Sequence, residues 1–189
     1  TDNLGGLLVP VVSGDVFADA NGPFTPIDGT TIARIADTCL WDRQFAAPSI
    51  DPQVPTDLTI GLPARVGGVV VATNAVLSPD LISLRAQAAA FDVTTGARVA
   101  YQFYPGRSEV GVLGATATRV IVRVRGSFLG GYTLGALNPS TLVLTETAAV
   151  LADETLGARS WIRGDVLYRL RPAPANTLEA YDLTTLQPK

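Results

Sequence analysis

The sequence predicts an all-β protein built from about four blade-like antiparallel repeats, a β-propeller or part of one. Three observations carry that expectation. Short runs rich in Val, Ile, Thr and Tyr recur along the chain and are split by turn residues. Gly and Pro supply 18 and 13 of the 189 residues, scattered so that few windows could complete three helical turns. One cassette also recurs: an apolar residue, Asp or Asn, a spacer and paired hydroxyl residues.

The four copies are Ile27-Asp28-Gly29-Thr30-Thr31, Phe91-Asp92-Val93-Thr94-Thr95-Gly96, Leu137-Asn138-Pro139-Ser140-Thr141 and Tyr181-Asp182-Leu183-Thr184-Thr185. Their polar anchors are spaced by 64 (28 to 92), 46 (92 to 138) and 44 (138 to 182) residues. A period in the forties is one that repeat architectures use. An Asp or Asn opening a turn accepts hydrogen bonds from backbone N–H groups two and three residues on, and hydroxyls add further bonds. The cassettes therefore read as hairpin connectors.

Each repeat has its own strand signals. In the second, residues 66–73 form a Val-rich buried run. In the third, residues 119–125 alternate, with Val120, Val122 and Val124 on one face and Arg119, Arg123 and Arg125 on the other. Residues 142–144 make a short strand, and residues 165–170 open the fourth repeat. One stretch, residues 77–90, is open to a helical reading, because Ser78-Pro79-Asp80 resembles a helix start and Ala is abundant. Trp161 reads as core. The repeats span approximately 4–39, 60–103, 110–146 and 150–189 of one domain. An insertion loop at 40–59 is rich in Pro and Asp and accounts for the long first interval. The chain is expected to open near the start of an inner strand and to stop after the fourth cassette, before an outer strand forms. Four such units either close alone as a small propeller or are completed by another chain.

Ala90-Phe91-Asp92-Val93-Thr94-Thr95-Gly96 and Glu179-Ala180-Tyr181-Asp182-Leu183-Thr184-Thr185 resemble the "AxDxxTG" strand ends of quinoprotein-like β-propellers. The resemblance implies blades. It does not carry over a redox cofactor, since the adjacent-cysteine disulfide of the alcohol-oxidising members cannot form with a single Cys. The blade-locking Trp after the cassette is also missing, with Ala100-Tyr101 in its place. A β-sandwich or jelly roll is the alternative architecture.

Composition excludes several functions. The chain has no His, so Ser-His-Asp and Cys-His nucleophilic machinery is absent, as is any imidazole metal ligand. Cys39 is the sole Cys, so no intramolecular disulfide forms. A net charge of −3 offers no footprint for nucleic acid. No uninterrupted apolar run approaches the roughly 20 residues of a membrane-spanning helix. The N-terminus lacks a signal-peptide pattern; a secreted form would follow prior cleavage, or the chain is a piece of something longer.

The candidate site residues are few. Asp15, Asp19 and Asn21, followed by Gly22, are spaced like part of a calcium loop, although the terminal bidentate Glu is missing and a plain hairpin turn explains them too. Calcium is thus the one cofactor the residues suggest. Arg119, Arg123 and Arg125 could line a channel and hold an anion or a partner's carboxylates, or simply form a solvated strand face. Trp41, beside Cys39, could anchor the insertion or a protein partner. The resulting expectation is a non-enzymatic structural or protein-binding propeller, extracellular or envelope-associated, with another protein or a second copy as partner. Two alternatives stand beside it: a propeller enzyme or cofactor-binding domain with a central-channel site, and an all-β shell or fibre protein.

Overall fold

The computed structural model describes residues 17–19, 22–26, 31–35, 39–44, 57–59, 63–77, 84–127, 130–151, 159–171 and 176–189. Every regular element among them is a strand. The first sheet holds β1 (Phe17–Asp19), β2 (Gly22–Pro26), β3 (Thr31–Ile35) and β4 (Cys39–Gln44). The second holds β5 (Asp57–Thr59), β6 (Ala64–Val66), β7 (Val69–Leu77), β8 (Leu84–Asp92) and β9 (Arg98–Tyr104). The third comprises β10 (Glu109–Ala115), β11 (Val120–Arg125), β12 (Tyr132–Leu137) and β13 (Leu144–Leu151). The fourth comprises β14 (Arg159–Arg163), β15 (Val166–Arg171), β16 (Thr177–Asp182) and β17 (Gln187–Pro188).

All pairings are antiparallel and strands neighbour one another in chain order, so each sheet is a meander of the kind that forms a propeller blade. In the second sheet the first strand is split: β5 and β6 pair with opposite ends of β7. The all-β expectation holds, and over 84–90 the helical reading of 77–90 does not, while 78–83 lie outside the described residues. Ala86, Ala88 and Ala90 alternate with Gln87, Ala89 and Phe91 along β8, which is paired on both edges by β7 and β9. Alanine suits this strand because the sheet packs closely on both faces, and tertiary packing overrides its helix propensity.

Three further differences follow. Residues 40–44 and 57–59 of the stretch read as an insertion are strand, while 45–56 lie outside the described residues. The fourth cassette is followed by a two-residue outer strand, since Tyr181 pairs with Pro188 and Asp182 with Gln187. The first cassette is out of phase with the others. It lies between the second and third strands of its sheet, whereas the later three join the third and fourth strands. The 64-residue interval thus joins two positions that are not equivalent.

Apolar layers lie between the second and third sheets and between the third and fourth. Val71, Ala88 and Ala90 of the second sheet pack with Val110, Val120, Val122, Val124 and Leu137 of the third. On its other face the third sheet contributes Ile121, Leu134, Ala136 and Leu151, which meet Leu167, Tyr181, Leu183 and Leu186 of the fourth. The second sheet buries a further cluster, Val70, Ala72, Ala89, Phe91 and Val93, on the face turned away from the third. Both faces of the second and third sheets are therefore apolar, and this produces continuous hydrophobic runs such as residues 69–72 rather than simple alternation.

Candidate functional site

The last three cassettes are turns, and the third and fourth also serve as inter-sheet contacts. Asp92 Oδ1 accepts from the N–H groups of Thr94 (2.9 Å) and Thr95 (2.7 Å) and from the Thr95 hydroxyl (2.9 Å). Asn138 Oδ1 accepts from Ser140 and Thr141, and Asp182 Oδ1 from Thr184 and Thr185. The Thr95 N–H and hydroxyl bonds hold the Asp92 carboxyl below the usual carboxylate range. The N–H groups of Thr185 and Thr184 do the same for Asp182. Such bonds favour the charged form.

The sixth cassette residue adopts a left-handed conformation in all three copies: Gly96 (φ 67°), Leu142 (φ 58°) and Leu186 (φ 57°). Leucine there costs about 1–2 kcal/mol against glycine. Leu142 and Leu186 are nevertheless buried in the layers toward the preceding sheet, and burial of a leucine is worth about 1.5–3 kcal/mol, which offsets the strain. The third cassette residue also reaches back to the first hairpin of its sheet in the second and fourth sheets. Val93 N–H donates to Gly68 O (2.9 Å) and Leu183 N–H to Asp165 O (2.8 Å). The third sheet has Pro139 at this position, which carries no N–H to donate.

The arginines form no shared solvent-facing row. Arg119 precedes β11, and its guanidinium donates to Leu183 O, tying the third sheet to the fourth cassette. Ile121, fully buried, shares the face of Arg123 and Arg125. Arg123 Nε donates to Glu109 Oε1 at 2.6 Å, and Arg125 Nε donates to Gly130 O at 2.9 Å. Both guanidiniums lie over the Tyr132 ring, whose hydroxyl donates to the second Glu109 oxygen at 2.9 Å. Burial and the Glu109 charge raise the pKa of Tyr132. The facing sheet carries a related cluster, with Arg171 donating to Glu179 and Arg169, 1% exposed, 3.6 Å from the same carboxylate. The arginines thus hold neighbouring carboxylates, rings and carbonyls in place.

The other sequence candidates are not brought together by the described residues. Trp41 lies in β4 opposite Arg34, and Asp19 ends β1 opposite Gly22. Asp15 and Asn21 lie outside the described residues. Among the described residues no group of three or more Asp, Glu, His or Cys could hold a metal ion. A shallow cleft of about 310 Å³ lies between β9 and the third cassette, lined by Phe103, Tyr104, Arg107, Leu142 and Glu146. Arg107 and Glu146 pair across it, and the buried Tyr104 hydroxyl donates to Leu142 O at 2.7 Å.

The feature that the sequence reading missed is the outward face of the fourth sheet. Leu178, Trp161 and Leu170 are 61%, 44% and 43% exposed. Register sets Trp161 opposite Tyr168 and Tyr168 opposite Ala180, with Leu170 between Arg159 and Leu178 in the next row. The Trp161 and Tyr168 rings stack at 5.7 Å. Trp161 is therefore a surface aromatic, because its strand turns residues 159, 161 and 163 away from the third sheet while Ile162 packs toward it. The signal lay in β15 and β16, where Val166, Tyr168 and Leu170 alternate with the buried Leu167, and Leu178 and Ala180 alternate with the buried Tyr181: apolar residues on both faces.

No protein-family model matches the chain, and none of the curated proteins does. Seventeen solved chains match it by structure. One of them, the crystal structure of BamB from Moraxella catarrhalis, is 14% identical with a TM-score of 0.44. The match covers 92% of this chain and 62% of that one, so the chain spans less than two thirds of its length.

Proposed function

We propose that this chain is a non-enzymatic module of propeller-type blades that works by binding protein, in an extracellular or envelope-associated setting. The observation that carries the reading is the open apolar face of the fourth sheet, with Trp161, Leu170 and Leu178 exposed together. Contiguous exposed apolar surface rimmed by polar residues marks interaction sites, and Arg159 stands in the cross-strand row of Leu170 and Leu178, with Arg163 in the row opposite Val166. The polar chemistry of the chain supports the same view. The Asp92 and Asp182 carboxylates are committed to turns, and the Glu109, Glu146 and Glu179 carboxylates to internal ion pairs. Near-complete use of Arg in place of Lys and the Gly- and Thr-rich strand pattern favour the proposed setting.

A photo-crosslinking residue at position 178, compared with one at the exposed turn position 94, tests this in cells that produce the chain. Protein adducts through 178 and none through 94 are expected. Adducts that are absent from both, or equal at both, would overturn the reading.

A further inference from the structure

We propose that the outward face of the fourth sheet docks an extended, acidic segment of a partner protein, with two carboxylates held by Arg159 and Arg163 and an apolar side chain between them seated on Trp161. The inference rests on the protein-binding reading above and names the chemistry of the partner.

Repeat equivalence sets this face apart from the faces that receive another sheet. Ala90, Ala136 and Ala180 each stand two residues before the cassette Asp or Asn. Strand pairing extends each of them into a cross-strand row. The rows are Ala90, Val71 and Ala64 in the second sheet, Ala136, Ile121 and Gly114 in the third, and Ala180, Tyr168 and Trp161 in the fourth. Ala64 and Val66 are buried in the layer shared by the second and third sheets. A Cβ at Gly114 would already crowd Ile162 Cδ1 of the fourth sheet, at 2.9 Å. Sheets thus pack here on small side chains or none. The fourth sheet carries an indole at the same point, stacked on Tyr168, and a sheet brought equally close would overlap it. The occupant of this face is therefore not a further sheet of the same kind.

Charge defines what fits instead. Arg159, Trp161 and Arg163 follow one another along the outward face of β14, and all three are exposed. Among the described residues neither of these guanidiniums has a carboxylate partner, whereas Arg107, Arg123, Arg169 and Arg171 each lie against a Glu. The cross-strand rows of Arg159 and Arg163 hold one carboxylate, Asp182, and its Oδ1 already accepts from Thr184 and Thr185. An apolar centre of Trp161, Tyr168, Leu170 and Leu178 is therefore flanked by two positive charges, four residues apart on a strand, or about 13 Å. Guanidiniums take carboxylates in bidentate pairs, and Arg and Trp are the side chains that most often anchor interfaces. An extended segment meets this spacing with acidic residues four apart and an apolar residue midway. A helix rises only about 6 Å over the same four residues.

Fluorescence anisotropy with the full 189-residue chain and labelled nine-residue peptides tests the inference. One peptide is centred on Glu-Thr-Trp-Thr-Glu, a second has Gln in place of both Glu, and a third keeps the first composition with the two Glu adjacent. The expected result is saturable binding of the first peptide and binding of the other two weaker by about tenfold or more. Arg159→Glu combined with Arg163→Glu, and separately Trp161→Ala, should each weaken the first peptide by about tenfold or more, the loss typical of an interface anchor. Both arginines are exposed, so the circular dichroism and melting midpoint of the charge-reversed chain should match the parent. No binding of the first peptide, equal binding of all three, or indifference to charge reversal would overturn the proposal. So would arginine-dependent binding to phosphatidylglycerol vesicles, or to a second copy of the chain, without binding of the acidic peptide. Crosslinks through position 178 that persist unchanged in the charge-reversed chain would leave the protein-binding reading standing and remove this one.

Discussion

The third and fourth sheets are built on one plan and end in different surroundings. Each is a four-stranded meander, closed by an Asp or Asn cassette whose sixth residue is a left-handed leucine. The third is covered on both faces, by the valine layer toward the second sheet and by Ile121, Leu134 and Ala136 toward the fourth. The fourth is covered on one face only, and its other face keeps Trp161, Leu170 and Leu178 in solvent. The local code is therefore the same in both sheets, and what differs is whether another described sheet packs on the second face. A residue's energetic weight in this molecule depends on that neighbour more than on its own strand.

The largest expected effect breaks the comparison at equivalent positions. Leu134→Ala empties a fully buried site between the third and fourth sheets, and such truncations cost about 2–5 kcal/mol. Leu178→Ala, four residues before the cassette Asp as Leu134 is before the cassette Asn, should change the stability of the isolated chain by less than about 0.5 kcal/mol. Urea melts of the two variants at low protein concentration measure both numbers.

A smaller effect is expected at the seam between the second and third sheets. The Tyr104 hydroxyl donates to Leu142 O in a buried setting, and burial pushes its pKa far up, so it stays a neutral donor. Tyr104→Phe leaves that carbonyl without its partner and should lower stability by about 1–3 kcal/mol in the same assay.

The smallest effect separates the cassettes by pH. Asp92 and Asp182 have folded-state values below the usual carboxylate range, and Asn138 does not titrate. Their contribution is fully present above the unfolded-state value and is lost as pH falls through the folded one. Asp92→Asn with Asp182→Asn should therefore flatten the acid-side fall of the melting midpoint. The midpoint near neutral pH should move less, because asparagine keeps the acceptor oxygen, as Asn138 shows.

Much of this architecture is legible in the sequence because strands and turns are written locally. The Asp-x-Thr-Thr cassettes, Val120, Val122 and Val124, and the Gly and Pro punctuation all fall where the sheets require them. The phase of the first cassette was not legible: Ile27-Asp28-Gly29-Thr30-Thr31 has the right residue types, but only strand pairing shows that it joins a different pair of strands. The role of the arginines was hidden for a related reason. Alternation groups Arg123 with Arg125, yet that face turns inward, and Glu109 and Tyr132, distant in sequence, meet the charges there. Trp161 was misplaced because a tryptophan in a strand reads as core, and only the arrangement of sheets shows that no described layer covers it.

Thiol labelling in a Cys39→Ser background tests the central claim most directly, by comparing Leu134→Cys with Leu178→Cys in dilute protein. At position 178 the thiol should react at nearly the rate of an unfolded control. At position 134 it should react on the order of a hundredfold more slowly, since it is reached only when the sheets open. Equal rates at the two positions would contradict the account.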